Sequence, residues 1–299
     1  VAGALITSDF QIQLGPDSSG LLLGAGTPYD VIELDGWDDM PGLSTTDVDR
    51  PAQPGAWAGA MYPQPRVLNL TLVVSGTVNG IGTPSSAQYA ANVAALRKAT
   101  NPGADTTAES PFVVQLAGTQ LQANVRCQQR VMPITQGYAS PGLDRATLQL
   151  VATDPRRYAP TVQSASCGLA STSGGLTYPI TYPLTWGTTT SGSLTINNGG
   201  DVATPPTLTI TGPGTTPAII RQDTGQVLQF DLTLGSTDVL VVNTLDGSMT
   251  LNGSSIYVLD PASASIASFV MQPGMTTVGL RVASGTGTTL TATWQNAYL

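Results

Sequence analysis

The residues best suited to chemistry in this 299-residue sequence are carboxylates, and they are concentrated in one place. Asp30, Glu33, Asp35, Asp38, Asp39, Asp47 and Asp49 are seven of its 19 acids and fall within twenty residues. A glycosidase holds two carboxyls about 5–10 Å apart in a cleft, and nothing in this stretch fixes a pair at such a distance. Asp35, Asp38 and Asp39 offer the hard oxygens that calcium prefers. However, DGWDDMPGL lacks the alternating acids and closing Glu of an EF-hand loop. The cluster therefore reads as structural or interface acidity, with no catalytic, metal or cofactor site assigned.

Other chemistries are excluded by composition. The sequence has no histidine, which removes Ser-His-Asp and Cys-His nucleophilic systems and His-ligated zinc. Cys127 and Cys167 stand forty residues apart, outside any CxxC spacing. Cys127 alternates with Leu121, Ala123 and Val125 and reads as a small core residue. LLLGAGTPYD is not a GxGxxG motif, and no GK[ST] follows a glycine-rich loop, so nucleotide binding has no support. A net charge of −8 argues against sequence-specific nucleic-acid binding. No apolar run approaches the roughly 20 residues that a membrane-spanning helix needs.

Aromatic residues open another class of chemistry, stacking against sugars or anchoring protein interfaces. Trp37, Trp57, Tyr62, Trp186 and Trp294 are the candidates. Trp294 alternates with Leu290 and Ala292 and reads as core. Trp37, Trp57 and Tyr62 flank or lie in a long aperiodic stretch, Gly36 to Pro65, and read as exposed interface candidates. So long a structureless loop within a compact domain is functional or mobile as a rule.

The elements that must carry these residues are mostly strands. The 33 Gly and 22 Pro suit many short strands joined by tight turns. ALITSDFQIQL and YDVIELDGW are expected as the first strands. RVLNLTLVVSGTV follows, with Leu68, Leu70, Leu72 and Val74 on one face and Asn69 and Thr71 on the other. One helix is expected over SSAQYAANVAALRKATNPG, capped by Ser85 or Ser86 and stopped by Pro102-Gly103. PFVVQL and QLQANVRC then form a hairpin across Ala117-Gly118-Thr119, and ATLQLVATD closes an α+β domain over residues 1–160.

Residues 161–192, rich in Gly, Ser and Pro, read as a connecting segment. Residues 193–299 read as an antiparallel β-sandwich. Its strands are expected at TLTIT, VLQFDLTL, DVLVVN, SMTLN, SIYVL, TTVGLRV and TLTATW, with Asp246-Gly247 and Asn252-Gly253 as two-residue turns.

The order of these segments resembles a known family. The aperiodic stretch feeding YPQPRVLNLTLVVSG, the helix AQYAANVAALRKA, the PFVVQLAG…VRC hairpin and ATLQLVATDPRRY look like the N-terminal domain of siphophage distal tail proteins. TINNGGDVATPPTLTITGP, DTGQVLQFDLTLGSTDVLVVNTLDGSMTLNGSS and FVMQPGMTTVGLRV are similar to that family's galectin-like sandwich. The resemblance spans nearly the whole chain. It implies a structural virion protein at the tail tip, assembled in the host cytoplasm and joining the tail tube to the baseplate as a homohexameric ring. Implied partners are further copies of the chain, the tail tube protein, the tail-associated tip protein and the tape measure protein. It also suggests Arg66 as an arginine expected at the start of the strongest strand, beside the plainer reading of a loop–strand ion pair. Six copies would carry 6 × −8 = −48 charges, which suits a bore through which DNA slides without sticking. The alternative reading is a carbohydrate-binding adhesin module on a virion or cell surface. A carboxylate-dependent hydrolase is the weakest of the three.

Overall fold

The computed structural model describes residues 2–78, 83–133, 144–173, 182 and 188–299. They form two compact units, one of Val1–Pro160 with Tyr298–Leu299 and one of Thr161–Ala297. The architecture is mainly β, with one α-helix among the described residues.

The first unit opens with short strands β1 (Ile12–Leu14), β2 (Leu21–Leu23) and β3 (Tyr29–Asp35). Four shorter ones follow, β4 (Leu43–Thr45), β5 (Val48–Asp49), β6 (Ala56–Trp57) and β7 (Met61–Pro63). Then come β8 (Arg66–Val74), helix α1 (Ser86–Ala99), β9 (Ser110–Leu116), β10 (Thr119–Val131), β11 (Asp144–Ala152) and β12 (Arg157–Tyr158). The main sheet has the order β2-β1-β9-β10-β11-β8-β3, antiparallel throughout. β10 joins its two halves: Thr119–Val125 pairs with β9, and the stretch from Arg126 pairs with β11 across a bulge between Cys127 and Gln129. A bulge bends its strand and tightens the local twist.

Alternation in β8 puts Leu68, Leu70, Leu72 and Val74 fully inside, opposite Leu150, Leu148 and Ala146 of β11. Helix α1 lays Tyr89, Val93 and Leu96 on this core, with the Ser85 hydroxyl accepting from Gln88 N at its start. The β9–β10 turn is a two-residue one, Ala117-Gly118, both with positive φ as a type I′ turn demands.

The N-terminal expectation needs correction: ALITSDFQIQL is extended only at Ile12–Leu14. The buried side chains of Gln11 and Gln13 accept hydrogen bonds from Thr7 N (2.7 Å), Ser8 N (3.1 Å) and Leu5 N (3.2 Å). Backbone donors that a longer strand would pair with a neighbour are thereby satisfied in turns.

The second unit begins inside the segment read as a connection. β13 (Gln163–Gly168) pairs along its length with the last long strand, and β14 (Ser171–Ser173) pairs with β15 (Thr188–Thr190). The signal was faint because β13 alternates small residues, with Ala165 and Cys167 on the core side. β16 (Ser193–Asn198), β17 (Thr207–Thr211), β18 (Gly214–Thr215), β19 (Ala218–Arg221), β20 (Val227–Gln229) and β21 (Thr233–Leu234) follow. β22 (Val239–Asn243), β23 (Ser248–Leu251), β24 (Ser254–Ser255), β25 (Gly274–Arg281) and β26 (Thr289–Trp294) complete it.

Two sheets, β13-β26-β17-β22-β23-β24 and β16-β25-β19-β20, share one core. Leu208, Ile210, Val242 and Leu290 of the first meet Ile196, Ile219, Leu228 and Val278 of the second, which makes a sandwich. VLQFDLTL is two strands and not one, interrupted where Asp231 N donates to Val258 O. SIYVL contributes only Ser255 to a strand. Asn252-Gly253 is the expected two-residue turn, whereas Asp246-Gly247 ends a four-residue loop between Asn243 and Ser248.

Candidate functional site

The stretch Gly36–Pro65 is a hairpin arm, not a structureless loop. Leu43, Ser44 and Thr45 pair with Pro63, Tyr62 and Met61, and Val48 and Asp49 pair with Trp57 and Ala56. Between the two ladders, Thr46 N donates to Ala60 O (3.2 Å) and Gly59 N to Asp47 Oδ1 (2.7 Å). A Cβ on Gly59 would lie 2.3 Å from Thr46 O, so only glycine lets the two backbones approach this closely. Arg50 N closes the tip on Gly55 O (3.1 Å), and the Arg50 guanidinium lies 5.9 Å from the Trp57 ring centre. Val48, Trp57, Met61 and Tyr62 are all more than half exposed. A two-stranded hairpin is marginal by itself in water. An arm showing four large apolar side chains to solvent has the chemistry of a surface awaiting a partner.

The root of the arm is buried and closely hydrogen-bonded. Arg66, at the start of β8, is 1% exposed. Its Nη1 donates to the carbonyls of Gly36 (2.7 Å), Trp37 (2.9 Å) and Asp39 (2.7 Å), and its Nε donates to Pro155 O (2.9 Å). Nη2 is buried without an acceptor among the described residues. Burial pushes this guanidinium below its ordinary value and repulsion from Arg157 adds to it, while Asp38 and Asp39 oppose the shift. Gly36 permits the turn: its φ is +83°, and a Cβ there would meet Val67 O at 2.2 Å.

Trp37 is 3% exposed, packed edge-on to Phe112 at 5.6 Å with the Arg157 guanidinium 5.6 Å above its ring. Arg157 also pairs with Asp38 and donates to Leu299 O (2.7 Å).

Two of the four interface candidates thus change role. Trp57 and Tyr62 are exposed on the arm. Trp37 and Arg66 are interior residues that hold its base, because a turn wrapped around the guanidinium takes both out of solvent. Among the described residues Arg66 makes no ion pair; it binds carbonyls. The pair Arg157–Asp38 and the exposed Val48, Arg50 and Met61 were missed. The alternation of Val48 and Arg50 about Asp49 was a weak signal for the arm. Trp294 is buried and donates its indole N–H to Asn197 O (2.9 Å). Trp186 lies outside the described residues. Both cysteines are free and half-buried, in different units. Burial raises the pKa of each thiol. Among the described residues no group of three or more acids or cysteines is placed to hold a metal ion. Asp38 is paired with Arg157, and Asp39 Oδ2 accepts from Gly36 N (3.2 Å).

Comparison with known proteins relates the C-terminal part of the chain to a family and the whole chain to a fold. Residues 199–298 match the family model described as siphovirus-type tail component, C-terminal domain. Comparison with the curated proteins gives no match. Among solved structures, the chain resembles the Dit protein (gp 19.1) of phage SPP1, described as a paradigm of the hub adsorption apparatus in phages infecting Gram-positive hosts. That likeness has a TM-score of 0.60 and 14% identity, covering 91% of this chain and 94% of that one. It also resembles a chain of the phage P2 baseplate in its activated conformation with Ca, at TM-score 0.52 and 11% identity, covering 96% and 98%. Residues 199–298 thus carry a siphovirus-type tail component C-terminal domain, and the chain as a whole shares the fold of the SPP1 Dit protein.

Proposed function

We propose that the chain forms a ring, a homohexamer, that joins the tail tube of a long non-contractile phage tail to the tail-tip baseplate. The observation that carries this reading is the correspondence of both units, in one order, to a hub protein over 91% of the chain. The exposed arm supports it physically. A ring of identical subunits needs two different surfaces that fit each other, and an apolar arm supplies one. In this reading the ring's neighbours are the tube protein, the tail-associated tip protein and the tape measure protein. Assembly takes place in the host cytoplasm, and the role is structural with no catalysis. The test is native mass measurement of the purified full chain with electron microscopy of the same sample. Closed rings of six copies are expected, and a monomer at every concentration overturns the proposal.

A second reading, glycan binding by the sandwich, has one observation in its favour. Tyr257 is 76% exposed beside a shallow groove that also includes Asp260, Ser263 and Ser265. Glycan-array binding lost in Tyr257→Ala would promote it.

A further inference from the structure

The first unit holds a groove of about 470 Å³ between β3 and the β1–β9 pair, ending at the arm's root. Ile12, Leu34, Trp37, Val114 and Leu116 contribute to its lining. At its rim stand two apolar side chains in water: Phe10, 72% exposed, and Ile32, 49% exposed, the latter at the β3 bulge between Val31 and Glu33. Asp30, Glu33 and Asp35 complete the rim, all exposed, with carboxylates that take no side-chain partner among the described residues. The groove therefore suits an occupant that is apolar and cationic together.

The arm tip has that composition. Val48 and Arg50, two residues apart in an extended chain, share a face. Trp57 lies directly across from Val48 and is covered by the Arg50 guanidinium. Asp49 alternates to the opposite face, and the Asp47 carboxylate is occupied by Gly59 N. The presented face is thus Val48, Trp57 and one cation, with no free acid on it.

We propose that the arm tip of one copy docks in the β3 groove of a second copy. Val48 and Trp57 cover the apolar rim at Phe10 and Ile32, and Arg50 meets Asp30, Glu33 and Asp35. Arm and groove are different surfaces, so the contact runs head to tail and leaves a free arm and a free groove at the ends until a ring closes. It also gives the hairpin the cover it lacks alone. Rim acids facing one arginine set the register of docking and speed encounter, and the tryptophan carries most of the affinity.

This inference rests on the self-assembly reading, and the experiment separates the two. Full-length Val48→Cys and Ile32→Cys proteins are made separately, mixed and mildly oxidised. Association of the unmodified chain, Arg50→Glu and Trp57→Ala is followed by light scattering. A covalent dimer in the mixture, absent from either variant alone, is expected, with association weakened about tenfold or more by Trp57→Ala. Arg50→Glu should weaken it too, and restoring a cation with Arg50→Lys should recover part of the loss. A second pairing of Arg50→Glu with Glu33→Lys, stronger than either single variant, would show charge contact directly. If the unmodified chain assembles but the mixture gives no dimer and the arm variants assemble normally, the docking proposal falls and the ring stands. If the unmodified chain stays monomeric, both fall.

Discussion

At the scale of single residues the account turns on burial. Arg66 looks like a surface arginine in a linear reading, since it follows Pro-Gln-Pro and opens a strand. Its role comes from carbonyls 27 to 30 and 89 positions away in sequence, which local patterning does not report. Arg66→Ala is expected to lower the stability of the first unit by about 3 kcal/mol, because several carbonyls lose their donor in a closed site. The drop should be read as a fall in that unit's melting transition while the second unit's is unchanged.

Tyr29 makes a pH-dependent prediction. Its hydroxyl donates to Asn92 O (2.8 Å) in the core, and burial raises its pKa from 10.0 to about 12. The raised value means the neutral phenol is favoured by folding. That contribution is whole below pH 10 and is lost as the pH climbs from 10 to about 12. Tyr158, whose pKa is raised further by burial and by Asp154, adds to the same alkaline loss. Denaturant melts between pH 9 and 12 should show stability falling across that window. Tyr29→Phe should be weaker by about 1 kcal/mol at pH 7 and show a shallower alkaline limb.

At the scale of elements, what could be read in advance was what alternates with large residues. β8, β22, β25 and β26 were legible because large apolar residues recur at every second position, as Leu68, Leu70 and Leu72, Leu240 and Val242, Val278 and Leu280, and Leu290 and Trp294 do. β13 was not, because Ala, Ser and Cys differ too little in size and polarity. The arm was not, because both its faces are exposed and nothing requires its apolar residues to alternate. Its stability depends on close approach instead. Gly59→Ala is expected to disrupt the ladder at Thr46, and Gly36→Ala to distort the root at Val67. Amide exchange should accelerate in Leu43–Pro63 for the first and extend into β8 for the second. Trp57→Ala should leave thermal stability within about 0.5 kcal/mol, since the ring is half in water. A large loss would mean the ring supports the unit and is not held for a partner.

At the scale of the whole molecule, two cores with separate residue sets predict two cooperative units. The segment 161–297 expressed alone should melt cooperatively, near its transition in the full chain. The fold was legible from the order of strands, helix and turns, and fold is what the likeness at 14% identity shows. The apolar face of the arm was not, since Val48, Trp57, Met61 and Tyr62 are exposed and carry no burial pattern. The most direct test of the central claim is electron microscopy of virions with a label fused to the C-terminal unit. The account predicts label at the distal end of the tail, in ring-like projections around the axis. Label on the capsid or along the tube, or none on the particle at all, would contradict it.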